Sequence, residues 1–293
     1  MKKILTFALA LAFAWGASAQ KTISFEGSDE IVRLWDNTTA QYSNYETRDE
    51  MLRKKKSFSF SQTSSCELYI FKAAAEKNQG VAIAMYPGGS YIRLNLAVWL
   101  AKWYASQGIT AAIVKYRLPN CGHNDATLED AMGAVRYLRT RTDLGVDPAK
   151  VGVMGSSAGG HLASWVSNVM PDEEKPAFAI LHYAWINLLM SDSGAADKAL
   201  QQLLGKGYTT QDTIDLSTYR MVSATTSPTL LLLCDDDPLV PSVDGAVYYE
   251  ALVRNGVKAS MHLYPYGGHS VKKHVEELQS AVLAWLEYLG LTK

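Results

Sequence analysis

The sequence predicts an α/β fold in which a mostly parallel central sheet is flanked by helices, and three observations support this. Short, continuously apolar segments recur along the chain, as is typical of strands buried on both faces. Segments with apolar residues at helical spacing alternate with them. The 293 residues, without a short N-terminal leader, are enough for one large domain with a substantial core.

The predicted elements follow a polar, aromatic-rich stretch at residues 21–60, in which Ile31, Leu34 and Trp35 are expected to pack over an edge of the fold. The predicted strands are 66–73, 80–86, 109–116, 151–154, 177–183, 229–234 and 260–264. The predicted helices are 94–107, 127–142, 158–169, 242–255 and 271–289. Residues 187–226 contain no predicted strand, and we expect this insertion to form a small helical lid.

The first nineteen residues have the layout of a secretory signal peptide. Lys2 and Lys3 precede an apolar run at residues 4–14, and small residues stand at 17–19. The run is too short to span a bilayer, which argues against the alternative of a retained membrane anchor. We therefore expect cleavage after Ala19, a single catalytic domain at residues 20–293, and a secreted or periplasmic protein.

Composition argues against several classes of function. The formal net charge is −1, and becomes −3 without the two leader lysines, so no basic excess points to nucleic acid as a partner. No membrane association is expected after signal cleavage. The histidines and cysteines fit no metal-binding spacing, and the glycine-rich loops lack a phosphate-binding signature, so the sequence predicts neither a metal nor a cofactor.

Three cysteines are present, which in an oxidising compartment allow one disulfide and one free thiol. Cys66–Cys121 is the pairing to test. Cys234 ends an apolar strand and is expected to be a buried thiol.

The strongest chemical signal is Gly-Ser-Ser-Ala-Gly at residues 155–159, which has the form G-x-S-x-G with Ser157 at its centre. It lies between the predicted strand 151–154 and a helix that starts near Ala158, the context in which such a serine is a nucleophile. The helix N-terminus directs N–H groups at a developing oxyanion. Ser156 is expected to be a turn residue only.

A second glycine-rich segment, Pro-Gly-Gly-Ser-Tyr at residues 87–91, directly follows a buried strand. With Ala158, the backbone N–H groups of Gly89 and Ser90 are the candidate donors of an oxyanion hole, since glycine allows a close approach. A plain turn is the alternative interpretation of this segment.

The candidate acid and base follow later strands. Asp235, Asp236 and Asp237 come directly after strand 229–234, and Asp237 is chosen over Asp236 because it stands just before Pro-Leu-Val-Pro. His269, flanked by glycines before the last helix, is the candidate base. His161, one turn into the helix after Ser157, is expected to pack beneath the turn rather than line a pocket.

Taken together, these motifs resemble the secreted α/β-hydrolase esterases that include acetylxylan esterases and related carbohydrate acetylesterases. The matching segments are 86–91, 115–119, 128–131, 145–148, 151–164, 236–241 and 262–269. The resemblance implies the α/β-hydrolase fold, a Ser157–Asp237–His269 triad and ester hydrolysis, with acetyl removal from a carbohydrate such as xylan expected. Two departures are Ser90, where the family usually has a third glycine, and Cys234-Asp235, where His or Ala is more usual.

The expected substrate is a small-molecule or polysaccharide ester, and Trp35 and Tyr91 are the aromatic residues expected to stack a sugar ring at the mouth of the site. Three alternatives remain open. One is a general carboxylesterase, and another is a serine peptidase of the prolyl-oligopeptidase kind, which usually carries a propeller domain. The third is a catalytically inactive binding module.

Overall fold

An eight-stranded sheet forms the centre of the molecule in the computed structural model, which describes residues 20–54, 58–189 and 194–293. The predicted signal peptide at residues 1–19 lies outside the described residues. The strand order is β1-β4-β7-β5-β8-β9-β10-β11, and the six strands from β7 to β11 in this order run parallel. The strands are β1 (Glu30–Asp36), β4 (Ser65–Phe71), β5 (Ala82–Tyr86), β7 (Thr110–Lys115), β8 (Val151–Ser156), β9 (Ala179–His182), β10 (Thr229–Cys234) and β11 (Ala259–Tyr264).

Helices lie between the parallel strands and after the last one, and most of them pack against this sheet. They are α1 (Val98–Ser106), α2 (Asn124–Arg139), α3 (Ala158–Val169), α4 (Gly194–Leu204), α5 (Thr210–Asp215), α6 (Ser242–Arg254) and α7 (Val275–Tyr288). Every residue of β5, β7, β9 and β10 is buried. Because successive strand residues point to opposite sides, both faces of the sheet are covered, and the predicted architecture is confirmed.

The sequence missed β1 and three short strands of a second sheet, whereas the strand predicted at 66–73 is present as β4. β1 and β4 lie at one edge, with β4 antiparallel to β7 and β1 antiparallel to β4. A separate small sheet joins β2 (Met51–Arg53), β3 (Ser59–Ser61) and β6 (Leu94–Asn95). The helix expected from residue 94 starts only at Val98, because residues 94 and 95 pair with β3.

Buried ion pairs fasten the N-terminal segment to the end of β7. The Lys115 ammonium, which is fully buried, lies 2.8 Å from a carboxylate oxygen of Glu50 and 3.2 Å from one of Glu67. It also donates to the carbonyl of Ile23 at 2.9 Å. Two residues further on, buried Arg117 pairs with Asp130 of α2 at 2.7 Å.

The three cysteines are all free, so the expected Cys66–Cys121 pairing is wrong. Cys66 lies inside β4, and its complete burial raises the pKa of the thiol well above the usual value. Cys234 is a buried thiol, as predicted.

Over the described ranges, no helix combines the length and apolar character that crossing a bilayer requires.

Candidate active site

Ser157 occupies a sharp turn between β8 and α3, with backbone angles φ 55° and ψ −123°. A positive φ is strained for a residue with a side chain. The turn closes because its neighbours have no Cβ. A Cβ added to Gly155 would lie 1.9 Å from the carbonyl oxygen of Gly159, and one added to Gly159 would lie 2.0 Å from that of Tyr86. The glycines of the motif are therefore required by packing around the serine.

The structure brings the predicted serine, histidine and aspartate together. Nε2 of His269 lies 2.8 Å from Oγ of Ser157, and Nδ1 of His269 lies 2.7 Å from Oδ2 of Asp237. With Nδ1–H donating to the carboxylate, Nε2 is left to accept the serine proton. The arrangement can therefore activate the hydroxyl as a nucleophile.

The three consecutive aspartates have separate partners. Oδ1 of Asp237 accepts the backbone N–H groups of Leu239 and Val240 at 2.8 and 3.1 Å, which leaves Oδ2 directed at the imidazole. Asp236 accepts the N–H of Gly268 at 2.7 Å, and Asp235 accepts the Ser242 hydroxyl.

The pKa of Asp237 lies below its ordinary value. Burial acts to raise this pKa, but hydrogen bonds from His269 and from two backbone N–H groups outweigh the burial. Asp237 is therefore a carboxylate at neutral pH.

The loop after β5 lies against the serine turn. A Cβ added to Gly88 would lie 2.4 Å from the carbonyl of Ser156 and 3.2 Å from Cβ of Ser157. Gly89 and Ser90 line the same pocket as Ser157, with positive φ values of 141° and 58°. Ala158 is the first residue of α3, so its N–H has no acceptor inside the helix. All three predicted oxyanion donors thus flank the serine in the chain or in space.

A pocket of about 250 Å³ opens at the serine. Its floor is the sheet itself, where Ile113, Met85 and Met154 stand side by side on neighbouring strands. Leu239 and Tyr183 lie on its wall with His269, and Arg93, Asn95 and Ala97 complete the side formed by the β5 loop and the segment after it. The floor is apolar, and the more exposed part of the lining carries Arg93 and Asn95 as well as Leu239.

Tyr183 is a site residue that sequence reasoning missed. It follows β9 with a strained φ of 34°, and its ring meets that of His269 edge to face at a centroid distance of 4.6 Å. Its hydroxyl is hydrogen-bonded to the Ser156 side chain. No motif marks this position; the only available signal was an aromatic residue at the carboxyl end of a parallel strand.

The predicted sugar-stacking residues are wrong. Tyr91 has no exposed surface, and its hydroxyl donates to Nδ1 of His161 at 2.7 Å. Trp35 hydrogen-bonds to Asp130 and packs on Gly133 of α2, outside the pocket.

His161 has the predicted structural role beneath the turn. Its Nε2 bonds to the carbonyl of Leu216 at 2.9 Å, and its side chain is completely buried. Burial lowers its pKa to about 4, so the ring is neutral at physiological pH.

The described part of the 187–226 insertion does not lie over the pocket, and its segment at 218–221 packs on α3. The Thr218 hydroxyl bonds to that of Ser164 at 2.7 Å, and no residue of 187–189 or 194–226 lines the pocket. The lid prediction is therefore wrong for this part of the insertion.

Among residues 20–54, 58–189 and 194–293, no group of three His, Cys, Asp or Glu side chains is placed to hold a metal ion.

Comparisons with known proteins show which family the chain resembles. The sequence pattern of the prolyl oligopeptidase family matches residues 120–291. The chain is 32% identical over 263 residues to an acetylxylan esterase from Xylanibacter ruminicola, covering 84% of this chain and 53% of the relative. It is 26% identical over 211 residues to the acylamino-acid-releasing enzyme of Rattus norvegicus, covering 68% and 28%. The chain thus spans about half the length, or less, of these curated relatives.

A solved structure is also similar. The acetyl ester-xyloside bifunctional hydrolase from Caldicellulosiruptor lactoaceticus superposes with a TM-score of 0.69 at 29% identity. The match covers 78% of this chain and 90% of that one.

Proposed function

Because this chain belongs to the prolyl oligopeptidase family of α/β-hydrolases, we propose that it is a serine carboxylic-ester hydrolase. The observation that carries the proposal is the hydrogen-bonded row from Ser157 through His269 to Asp237. These three groups form the nucleophile, the general base and the carboxylate that orients the base. The same arrangement recurs on several unrelated folds that transfer acyl groups through a serine.

The reaction proceeds in two steps. His269 takes the proton of Ser157 as the hydroxyl oxygen attacks the ester carbonyl, and the imidazolium then gives this proton to the departing alcohol. The acyl group is now bound to the serine as an ester. Water, deprotonated by His269, attacks this second ester, and the carboxylic acid and free Ser157 are released.

The negative charge that develops on the carbonyl oxygen is stabilised by backbone N–H groups. Ala158 supplies one donor at the N-terminus of α3, and Gly89 and Ser90 supply the other side. These donors are proposed because they lie beside Ser157, where the glycine-rich loop can approach the oxygen without a clashing side chain.

The substrate proposed is an acetylated carbohydrate such as xylan. Two relatives support it: a protein 32% identical over most of this chain is an acetylxylan esterase, and a structure 29% identical is an acetyl ester-xyloside hydrolase. The apolar floor of the pocket suits the methyl end of an acyl group.

We further propose that residues 1–19 are removed as a signal peptide, so that the domain at 20–293 acts outside the cytoplasm.

The test measures acetate released from acetylated xylan and from 4-nitrophenyl acetate by the pure protein. Ser157→Ala should lower kcat on both by at least ~10³-fold while the circular dichroism spectrum is kept. Near-normal turnover by the variant would refute the serine mechanism. Equal rates on acetyl and long-chain esters, with no preference for sugar, would favour a general carboxylesterase instead.

A peptidase is the second candidate, because the family takes its name from a peptidase and the acylamino-acid-releasing enzyme matches two thirds of the chain. Release of an N-acetylated amino acid from a short acetyl-peptide, faster than release of acetate from xylan, would establish this alternative.

A further inference from the structure

Arg93 is held rigidly at the rim of the pocket by the β5 loop. Its backbone N–H donates to the carbonyl of Gly89 at 3.1 Å, and the next polar residue, Asn95, donates from its N–H to the carbonyl of Gly88 at 2.9 Å. A Cβ added to Gly89 would lie 2.9 Å from Cγ of Arg93, so the arginine stem lies directly on the loop. The backbone and the stem of Arg93 are therefore fixed beside the proposed oxyanion donors.

The side chain of Arg93 has no partner within the described ranges. It is exposed, it lines the pocket that contains Ser157, and neither it nor Asn95 makes a side-chain hydrogen bond or ion pair with a described residue. This distinguishes Arg93 from the arginines that are paired with carboxylates. Those arginines are Arg33, Arg48, Arg117, Arg136, Arg141 and Arg254.

No carboxylate neutralises Arg93 across the pocket either. Among the described lining residues it is the one lysine or arginine, and no aspartate or glutamate lines the pocket. The nearby Asp237 is directed at His269. A guanidinium in a cleft without a counterion is well matched to a ligand carboxylate, which it binds through two parallel N–H···O bonds.

We propose that Arg93 and Asn95 form a carboxylate-binding subsite, and that the preferred substrates are acylated sugar acids. The proposal rests on the proposed esterase function. The buried floor of Met85, Ile113 and Met154 is apolar and takes the acyl group. The exposed rim then faces the alcohol part of the ester, so the carboxylate belongs to the sugar, with Asn95 as an additional donor.

The experiment compares two substrates that differ in one group: mono-O-acetyl glucuronic acid and mono-O-acetyl glucose. Acetate release gives kcat/KM for each at low and at high salt. The wild-type protein should prefer the acid at least tenfold, and salt should reduce the preference because the attraction is between charges. Arg93→Gln should lower the acid-to-neutral ratio at least tenfold, and Arg93→Lys should keep part of it, since one amine replaces a bidentate donor.

Lys102→Gln is the matched control, because it removes the same charge from an exposed position on α1 outside the pocket. The ratio should not change in this variant. An equal loss on both substrates in Arg93→Gln, or no preference in the wild-type protein, would overturn the subsite. The esterase proposal is tested separately with the neutral sugar. If Ser157→Ala still released acetate from this substrate, the esterase proposal itself would fail.

Discussion

Replacing Asp237 by asparagine tests the site most sharply, because the structure fixes how the new side chain must lie. Oδ1 of Asp237 already accepts two backbone N–H groups, from Leu239 and Val240. In Asp237→Asn the amide oxygen has to stay on that side, since an NH₂ group there would face two donors. The amide NH₂ therefore faces Nδ1 of His269, which must become an acceptor.

The imidazole of His269 is then held in the wrong tautomer. With Nδ1 accepting, Nε2 carries the proton and cannot take one from Ser157. Replacing the orienting aspartate of such a triad by asparagine lowers kcat about 10⁴-fold when it forces the wrong tautomer. This corresponds to about 5 kcal/mol of transition-state stabilisation. The fold should be kept, because all backbone hydrogen bonds to the side chain remain.

Asp236→Asn is the matched control. Asp236 only accepts the N–H of Gly268, and an asparagine oxygen can accept the same bond. The loss in kcat should stay below about tenfold. Turnover of 4-nitrophenyl acetate and thermal unfolding would be measured for both variants. If Asp237→Asn kept activity within tenfold of wild type, or Asp236→Asn were the more damaging change, the assignment of the orienting carboxylate would be wrong.

Three further predictions concern the surroundings of the site. Tyr183→Ala should lower kcat roughly 2- to 10-fold, the value of an aromatic contact. Tyr183→Phe should recover most of the rate, and equal rates in the two variants would contradict a role of the ring in positioning His269. Glu50→Gln leaves buried Lys115 short of a charge partner and should lower the free energy of unfolding by ~3 kcal/mol, measured in urea, while exposed Glu76→Gln should have almost no effect. A thiol reagent should label one cysteine in the native protein, half-buried Cys121, and three after unfolding; labelling of none in the native state and fewer than three in urea would indicate a disulfide after all.

The parallel core and the serine turn were readable from sequence because their signals are local. The helix expected at 158–169 and the strand expected at 229–234 have the bounds that the structure gives. A strand buried on both faces is mostly apolar, and a strained turn needs glycines at fixed offsets. Both requirements are written in consecutive residues.

The misses have a different physical origin. No residue of strand β1 is buried, so its pattern is too weak to separate from a loop. Tyr91 looked like a mouth residue, but its burial depends on His161, 70 positions away in the chain. Tyr183 has no motif at all. In each case the outcome is decided by contacts between distant segments, which spacing along the chain does not report.

The buried lysine at the end of β7 also bears on where this protein can be cut. The family pattern begins at residue 120, yet the ammonium of Lys115 is neutralised by Glu50 and capped by the carbonyl of Ile23. A fragment trimmed to residues 120–291 would lose four of the eight strands of the central sheet, β1, β4, β5 and β7. A fragment that began between Glu50 and Glu67 would keep Lys115 but remove Glu50 and the Ile23 carbonyl from a buried charge. The unit that folds is therefore longer than the unit that is recognised, and expression designs should begin no later than residue 20.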